Sequence, residues 1–197
     1  MSKPYSASCD QNKDHILPII SPLLSSCKNV LEIGSGTGQH AIYFAENMPQ
    51  LTWHTSDCQD YHAGINSWLS ETGVKNIKKP FELNVSTSKW PTFDIDAVFT
   101  ANSIHIMSEK DVANLIEVVG VLLKSKGSFI IYGPFNYNGE YSSESNQRFD
   151  QWLKQRDASS CIKHFETIVA QAKNSGMSLV TDYEVPANNR ILHFIKR

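Results

Sequence analysis

Three glycines at alternate positions, Gly34, Gly36 and Gly38, follow the apolar run Asn29-Val-Leu-Glu-Ile33. A short apolar run ending in glycines reads as a buried parallel strand turning into a helix, which should start near Thr37 or Gly38. Glycine reaches backbone angles with φ > 0 and lacks the Cβ that keeps a ligand off the chain. The turn Gly34-Ser35-Gly36-Thr37-Gly38 can therefore cradle a bound group, although such turns also serve packing alone. Nineteen residues past Gly38 comes Asp57, at the end of the β-rich run Leu51 to Ser56. A carboxylate there can accept both hydroxyl protons of an adenosine ribose, or it can cap the helix that begins near Gln59.

Spacing separates two adenosine-containing cofactors. The dinucleotide fingerprint is G-x-G-x-x-G, whereas this chain has G-x-G-x-G with Gln39 where the last glycine would stand. Glu32, two residues before the loop, is ill placed beside a pyrophosphate but suits the ammonium and sulfonium of S-adenosylmethionine. A buried glutamate needs a partner, and its other role is to hold the turn by hydrogen-bonding loop amides.

A methyl group moves by in-line displacement at the sulfonium carbon, so the protein must align the acceptor, exclude water and, for a neutral acceptor, remove a proton. In open α/β sheets such groups come from the carboxyl ends of the strands. His105, just past the fourth strand, is the candidate general base because an ordinary imidazole titrates near neutrality; it can also be a structural histidine bonded to a loop carbonyl. Asn102 can touch the cofactor or orient the acceptor through its amide. Tyr132, Asn136, Tyr137 and Tyr141 lie in an aromatic-rich run suited to a small apolar or aromatic substrate, Tyr132 and Asn136 foremost; the same run can instead pack on the sheet edge. Arg148 and Arg156 offer charge for a substrate carboxylate, or are ordinary exposed helix arginines.

The elements that position these residues alternate. An N-terminal helix carrying Ile16, Leu17, Ile20, Leu23 and Leu24, interrupted or bent by Pro18 and Pro22, precedes the first strand. Further strands are expected at Lys79–Val85, Asp94–Thr100 and Gly127–Tyr132, with helices around Ile65–Leu69, Glu109–Leu123, Ser145–Arg156 and Ile162–Asn174. The short Pro186-Ala-Asn-Asn189 connection joins residues 178–185 and 190–195 as an antiparallel hairpin. The expected fold is an α/β, Rossmann-like three-layer sandwich: a seven-stranded, mostly parallel sheet closed by a C-terminal antiparallel hairpin strand. One domain covers residues 1–197, with an N-terminal lid and helix at 1–27 and an insertion at 134–160 that forms part of the substrate site.

Val30-Leu-Glu-Ile-Gly-Ser-Gly-Thr-Gly-Gln39 resembles the first motif of class I S-adenosylmethionine-dependent methyltransferases. The resemblance implies that Gly34, Ser35, Gly36 and Gly38 cradle the cofactor's methionine portion, that Asp57 takes the ribose and that Asn84 lies beside adenine. More narrowly, Asp10-Gln-Asn-Lys13, Thr100–Ile106, Tyr132-Gly-Pro-Phe135 and Asn138–Tyr141 with Ser143–Asn146 resemble an uncharacterised methyltransferase-like family. Such proteins fold the N-terminal stretch over the cofactor, which implies Asn12 and Tyr5 at the site; the other reading of residues 1–14 is a solvated tail.

Composition narrows the rest. With 18 Lys and Arg against 20 Asp and Glu, the formal net charge is -2 and no basic face stands out, so stable nucleic-acid binding is not expected. No apolar run is long enough for a membrane span, and the N-terminus lacks the apolar core of a secretory signal, which makes the cytosol the expected compartment. The four cysteines form no C-x-x-C pair, and no grouped His, Cys, Asp and Glu suggests a metal. No Pro-Cys follows strand four, against a cysteine-nucleophile cytosine methyltransferase, and Asn136-Tyr137 lacks the prolines of the N-P-P-Y motif. A small molecule or a protein side chain remains as acceptor. A cofactor-binding sensor or scaffold without catalysis and a nicotinamide-dependent oxidoreductase stay as alternatives.

Overall fold

The computed structural model describes residues 3–87 and 89–197. Seven strands form one sheet in the order β3-β2-β1-β4-β5-β9-β8, where β1 is Asn29–Ile33, β2 Thr52–Asp57, β3 Ile77–Glu82, β4 Ala97–Ala101, β5 Ser128–Gly133, β8 Met177–Val185 and β9 Asn189–Lys196. β1 to β3 run parallel, and β9 is antiparallel to both β5 and β8. The hairpin turn needs left-handed backbone at Ala187 and Asn188. This is the expected mostly parallel sheet with an antiparallel C-terminal hairpin. The chain divides into two compact units, residues 1–99 and 100–197. Among the described residues no helix is long and apolar enough to cross a membrane.

In the first unit, Ser6 caps α1 (Ala7–Leu23) by accepting the Cys9 N–H. Helix α1 therefore starts ahead of the polar stretch Asp10–Asp14 and runs through both prolines as one element, burying Asn12, Ile16 and Ile20 at four-residue spacing. Helix α2 (Gln39–Asn47) starts directly at the glycine turn, and α3 (Gln59–Ser70) follows β2. Phe44, Trp53 and Phe99 pack with ring centroids 5.5 to 5.8 Å apart and anchor the unit's core. Each such buried ring contributes about 1.5–3 kcal/mol. β3 lies nearer the N-terminus than the expected Lys79–Val85, because it is paired by register with β2 (Trp53 to Ile77, Asp57 to Glu82), which its own mixed polar pattern does not reveal.

In the second unit every residue of β5 is buried, as a central strand requires. Helix α4 (Glu109–Leu122) begins at Ser108, whose hydroxyl accepts the Asp111 N–H, and α5 (Glu144–Arg156) begins at Ser143 in the same way with Asn146. Helix α6 is Phe165–Asn174, shorter than expected at its start. Lys163 and His164 form β7 instead, pairing in parallel with β6 (Phe135–Asn136) as a separate two-stranded sheet.

Candidate functional site

In the first unit, Glu32 stands at the base of the glycine turn with 1% of its surface exposed. It accepts hydrogen bonds from Ser35 Oγ at 2.8 Å and Trp53 Nε1 at 3.2 Å. Burial pushes its pKa up to about 7, against the lowering effect of those two donors. The loop amides expected on Glu32 go elsewhere. Gly34 and Ser35 donate to the Ser56 carbonyl at 3.1 and 2.9 Å, and Gly36 donates to Asp57 Oδ2 at 2.7 Å. Glu32 is isolated from those amides because it lies one layer deeper, beneath the Ser35 hydroxyl.

Asp57 is thus bound to the loop it was expected to face. Its second oxygen accepts the Cys58 N–H at 2.7 Å, while α3 starts from Cys58 without a side-chain cap, so the carboxylate serves the loop and not the helix end. Burial raises its pKa, and the Gly36 and Cys58 amides oppose the rise. Gly34, Gly36 and Gly38 all adopt positive φ. Their surroundings differ. A Cβ at Gly36 would meet nothing within 4 Å, while one at Gly38 would lie 3.4 Å from Ile65 of α3. Gly36 therefore opens onto free space above the loop and Gly38 serves helix packing. A glycine edge facing space, beside a carboxylate with spare lone pairs, fits the ribose and methionine end of an adenosyl cofactor.

The N-terminal stretch is clasped to these same elements. Gln39 Oε1 accepts the Ser6 N–H at 2.6 Å, Asn12 Oδ1 lies 2.6 Å from His40 Nε2, and Trp68 Nε1 donates to the Pro4 carbonyl at 2.6 Å. Asn12 is therefore buried against α2, and burial pushes the pKa of its partner His40 down to about 4. Tyr5 is 62% exposed and donates to Asp10. Pro4, Ser6 and Asn12 are thus tied to α3 and α2 by hydrogen bonds, while the Tyr5 side chain stays in solvent. Asn84 lies past β3 in a turn, where its side chain accepts the Ser86 N–H at 3.0 Å.

The second unit holds the remaining candidates. Asn102 adopts φ 56° and donates its N–H to the Tyr132 carbonyl at 3.0 Å, which brings these two candidates together at the ends of β4 and β5. His105 is buried, with its ring edge-on to Phe149 at 5.1 Å and its Nδ1 3.9 Å from where a Gly133 Cβ would stand. That Nδ1 has no hydrogen-bond partner. Burial, with help from the Lys163 charge, pushes the imidazole down to about 4, below the near-neutral value expected from the residue type alone.

Asn136 and Tyr141 line a cavity of about 460 Å³ with Asp150, Lys154, Cys161 and His164. The Asn136 side-chain Oδ1 is buried without a partner, and Tyr141 donates to Asp150 at 2.8 Å. Asp150 also accepts from the Ile162 N–H and Lys154, which makes it the post that holds this wall, a role no local pattern around residue 150 signals. Tyr137 lies apart from the cavity. It stacks on Phe165 at 4.9 Å and donates to Asp182, which pairs with Arg190. Arg148 makes a long pair with Glu144 and Arg156 covers the Trp152 ring.

A family model described as "Protein of unknown function (DUF938)" matches residues 3–196. Among solved structures, the chain is similar to the S-adenosylmethionine-dependent methyltransferase SibL in its apo form, at 15% identity and TM-score 0.80 over 96% of this chain and 56% of that one. It is similar to human N-acetylserotonin methyltransferase in complex with SAM, at 13% identity and TM-score 0.80 over 96% and 52%. A third is an O-methyltransferase family 2 protein from Planctomyces limnophilus in complex with apigenin, at 13% and TM-score 0.80 over 96% and 60%. The chain spans between 52% and 60% of the length of these three structures. The likeness shows a Rossmann-like methyltransferase fold.

Proposed function

The chain belongs to the DUF938 family, and we propose that it transfers a methyl group from S-adenosylmethionine to a small-molecule acceptor. The observation that carries the reading is the Gly36 and Asp57 pair, a glycine edge open to space with its amide held 2.7 Å from the carboxylate. The fold shared with S-adenosylmethionine-dependent enzymes supports the same cofactor, and the apigenin complex of one of them supports a small acceptor.

The cofactor supplies a methyl carbon already activated on a sulfonium. In the first unit Asp57 would hold the ribose, Gly34, Ser35, Gly36 and Gly38 the methionine end, Asn84 would lie beside adenine and Asn12 would back the glycine turn; in the second unit Asn102 is the residue assigned to the cofactor. Glu32 sets a negative charge beneath the loop whenever it is ionised. His105 accepts the acceptor's proton at its unpartnered Nδ1, with Tyr132 as the second candidate at the strand ends, while Asn136 and Tyr141 belong to the substrate wall and Tyr137 stands outside it.

Binding of the cofactor without catalysis, as a sensor or a partner's scaffold, is the second reading. It is favoured by one observation, the weak basicity of an imidazole pushed down to about 4. Incubation of methyl-labelled cofactor with a metabolite extract separates the two. Transfer by the wild type that falls sharply in His105→Ala supports the enzyme with His105 as base, equal transfer by both removes His105 from that role, and no transfer by either favours the sensor.

A further inference from the structure

Lys163 is a lysine with 4% of its surface exposed, on the short strand β7. Its Nζ donates to the Met107 carbonyl at 2.8 Å, the Cys161 carbonyl at 3.2 Å and Cys161 Sγ at 3.3 Å. Three donors meet three neutral acceptors, and no carboxylate is among them. Burying an ammonium without a counter-charge is costly, and fixing a loop alone would need only a neutral donor. The neighbouring Ser160 hydroxyl donates to the Ile106 carbonyl at 3.0 Å. Residues 160–163 therefore grip the two residues that follow His105.

We propose that Lys163 is the positioning residue for His105: its ammonium fixes the Met107 carbonyl and, with Ser160 on the Ile106 carbonyl, holds the loop that carries the imidazole and its unpartnered Nδ1. The proposal rests on the reading of His105 as the acceptor-side base, but its test does not need turnover.

The elements around His105 carry other titratable groups. Helix α5 brings Asp150 and Lys154, which pair with each other at 2.6 Å, and α4 begins with the exposed Glu109. Cys161 and His164 flank Lys163, and Tyr132 lies on β5. Of all these, Lys163 is the group whose charge bears on the imidazole, in the same direction as burial.

The test is histidine-ring NMR titration of the full chain, with the His105 signal assigned by its loss in His105→Gln, alongside amide hydrogen exchange at Ile106 and Met107. Lys163→Met should move the His105 midpoint upward and speed exchange on the order of tenfold, the consequence of losing charge-assisted hydrogen bonds. Lys163→Arg keeps the charge but replaces a tetrahedral donor by a planar one, so it should speed exchange while the midpoint stays low. A folded Lys163→Met with an unchanged midpoint overturns the proposal. If that variant does not fold, Lys163→Arg decides: faster exchange at Ile106 and Met107 supports the proposal, and exchange as slow as in the wild type overturns it. No methyl transfer by the wild type with these readouts as expected would count against the enzyme reading and leave the positioning role standing.

Discussion

The Gly36 amide donates to the Asp57 carboxylate at 2.7 Å, so the middle glycine of the turn and the acid at the end of β2 move as one piece. Asp57→Ala removes the acceptor for two backbone amides as well as the expected ribose contact. S-adenosylmethionine affinity, measured by calorimetry, should fall by about 1–3 kcal/mol. Unchanged affinity would take Asp57 out of the ribose site.

The middle and last glycines of the turn, which have different surroundings, should respond differently to one added methyl. Gly36→Ala meets no neighbour but must hold a positive φ, a cost of about 1–2 kcal/mol. It should also obstruct the cofactor. Gly38→Ala bears the same backbone cost and presses on Ile65, so it should lose more stability. Paired urea unfolding and calorimetry check the split; equal effects of the two substitutions on stability and affinity would contradict it.

Three buried groups give the protein opposed pH windows. Glu32 rises from 4.5 to about 7, so the folded state holds its proton more tightly than the unfolded chain. Its contribution is present at low pH and about 3 kcal/mol is lost as pH rises from the unfolded value through 7. His40 and His105 fall from 6.5 to about 4, so the unfolded chain binds protons the folded state refuses. Stability is then lost, by about 3 kcal/mol for each, as pH drops from 6.5 through 4. Glu32→Gln should therefore be more stable than the wild type at pH about 8, with the acid limb unmoved. Denaturant unfolding at acidic and alkaline pH checks the sign, and no gain at alkaline pH would show that Glu32 is not held protonated by burial.

A Cβ at Gly64 would lie 2.6 Å from the Pro4 ring, which makes Gly64→Ala a probe of the N-terminal clasp. The substitution should release residues 3–6, speeding proteolysis ahead of α1, and should weaken S-adenosylmethionine binding severalfold. Faster proteolysis with unchanged affinity would exclude the N-terminal stretch from the cofactor site.

The glycine turn, the acid after β2 and the terminal hairpin were legible because each is local: a spacing, a strand end, a short connection. What escaped depends on distant partners. β3 takes its bounds from pairing with β2, and the β6–β7 pair joins two residues at 135–136 to two at 163–164. Nothing in the residue type of His105 reveals the burial and the Lys163 charge that lower its pKa. Tyr137 looked like Tyr141 in sequence, yet one reaches Asp182 and the other Asp150. Helix α5 opens at Glu144, one residue ahead of the expected Ser145, because Ser143 accepts the Asn146 N–H there.

The central claim is the identity of the cofactor, and thermal denaturation with S-adenosylmethionine, S-adenosylhomocysteine and NAD tests it most directly. A ligand about 100-fold over its dissociation constant adds roughly 2.7 kcal/mol, several degrees for a domain of this size. Both sulfur ligands should raise the melting temperature in the wild type and much less in Asp57→Ala. A rise with NAD and none with either sulfur ligand would contradict the account.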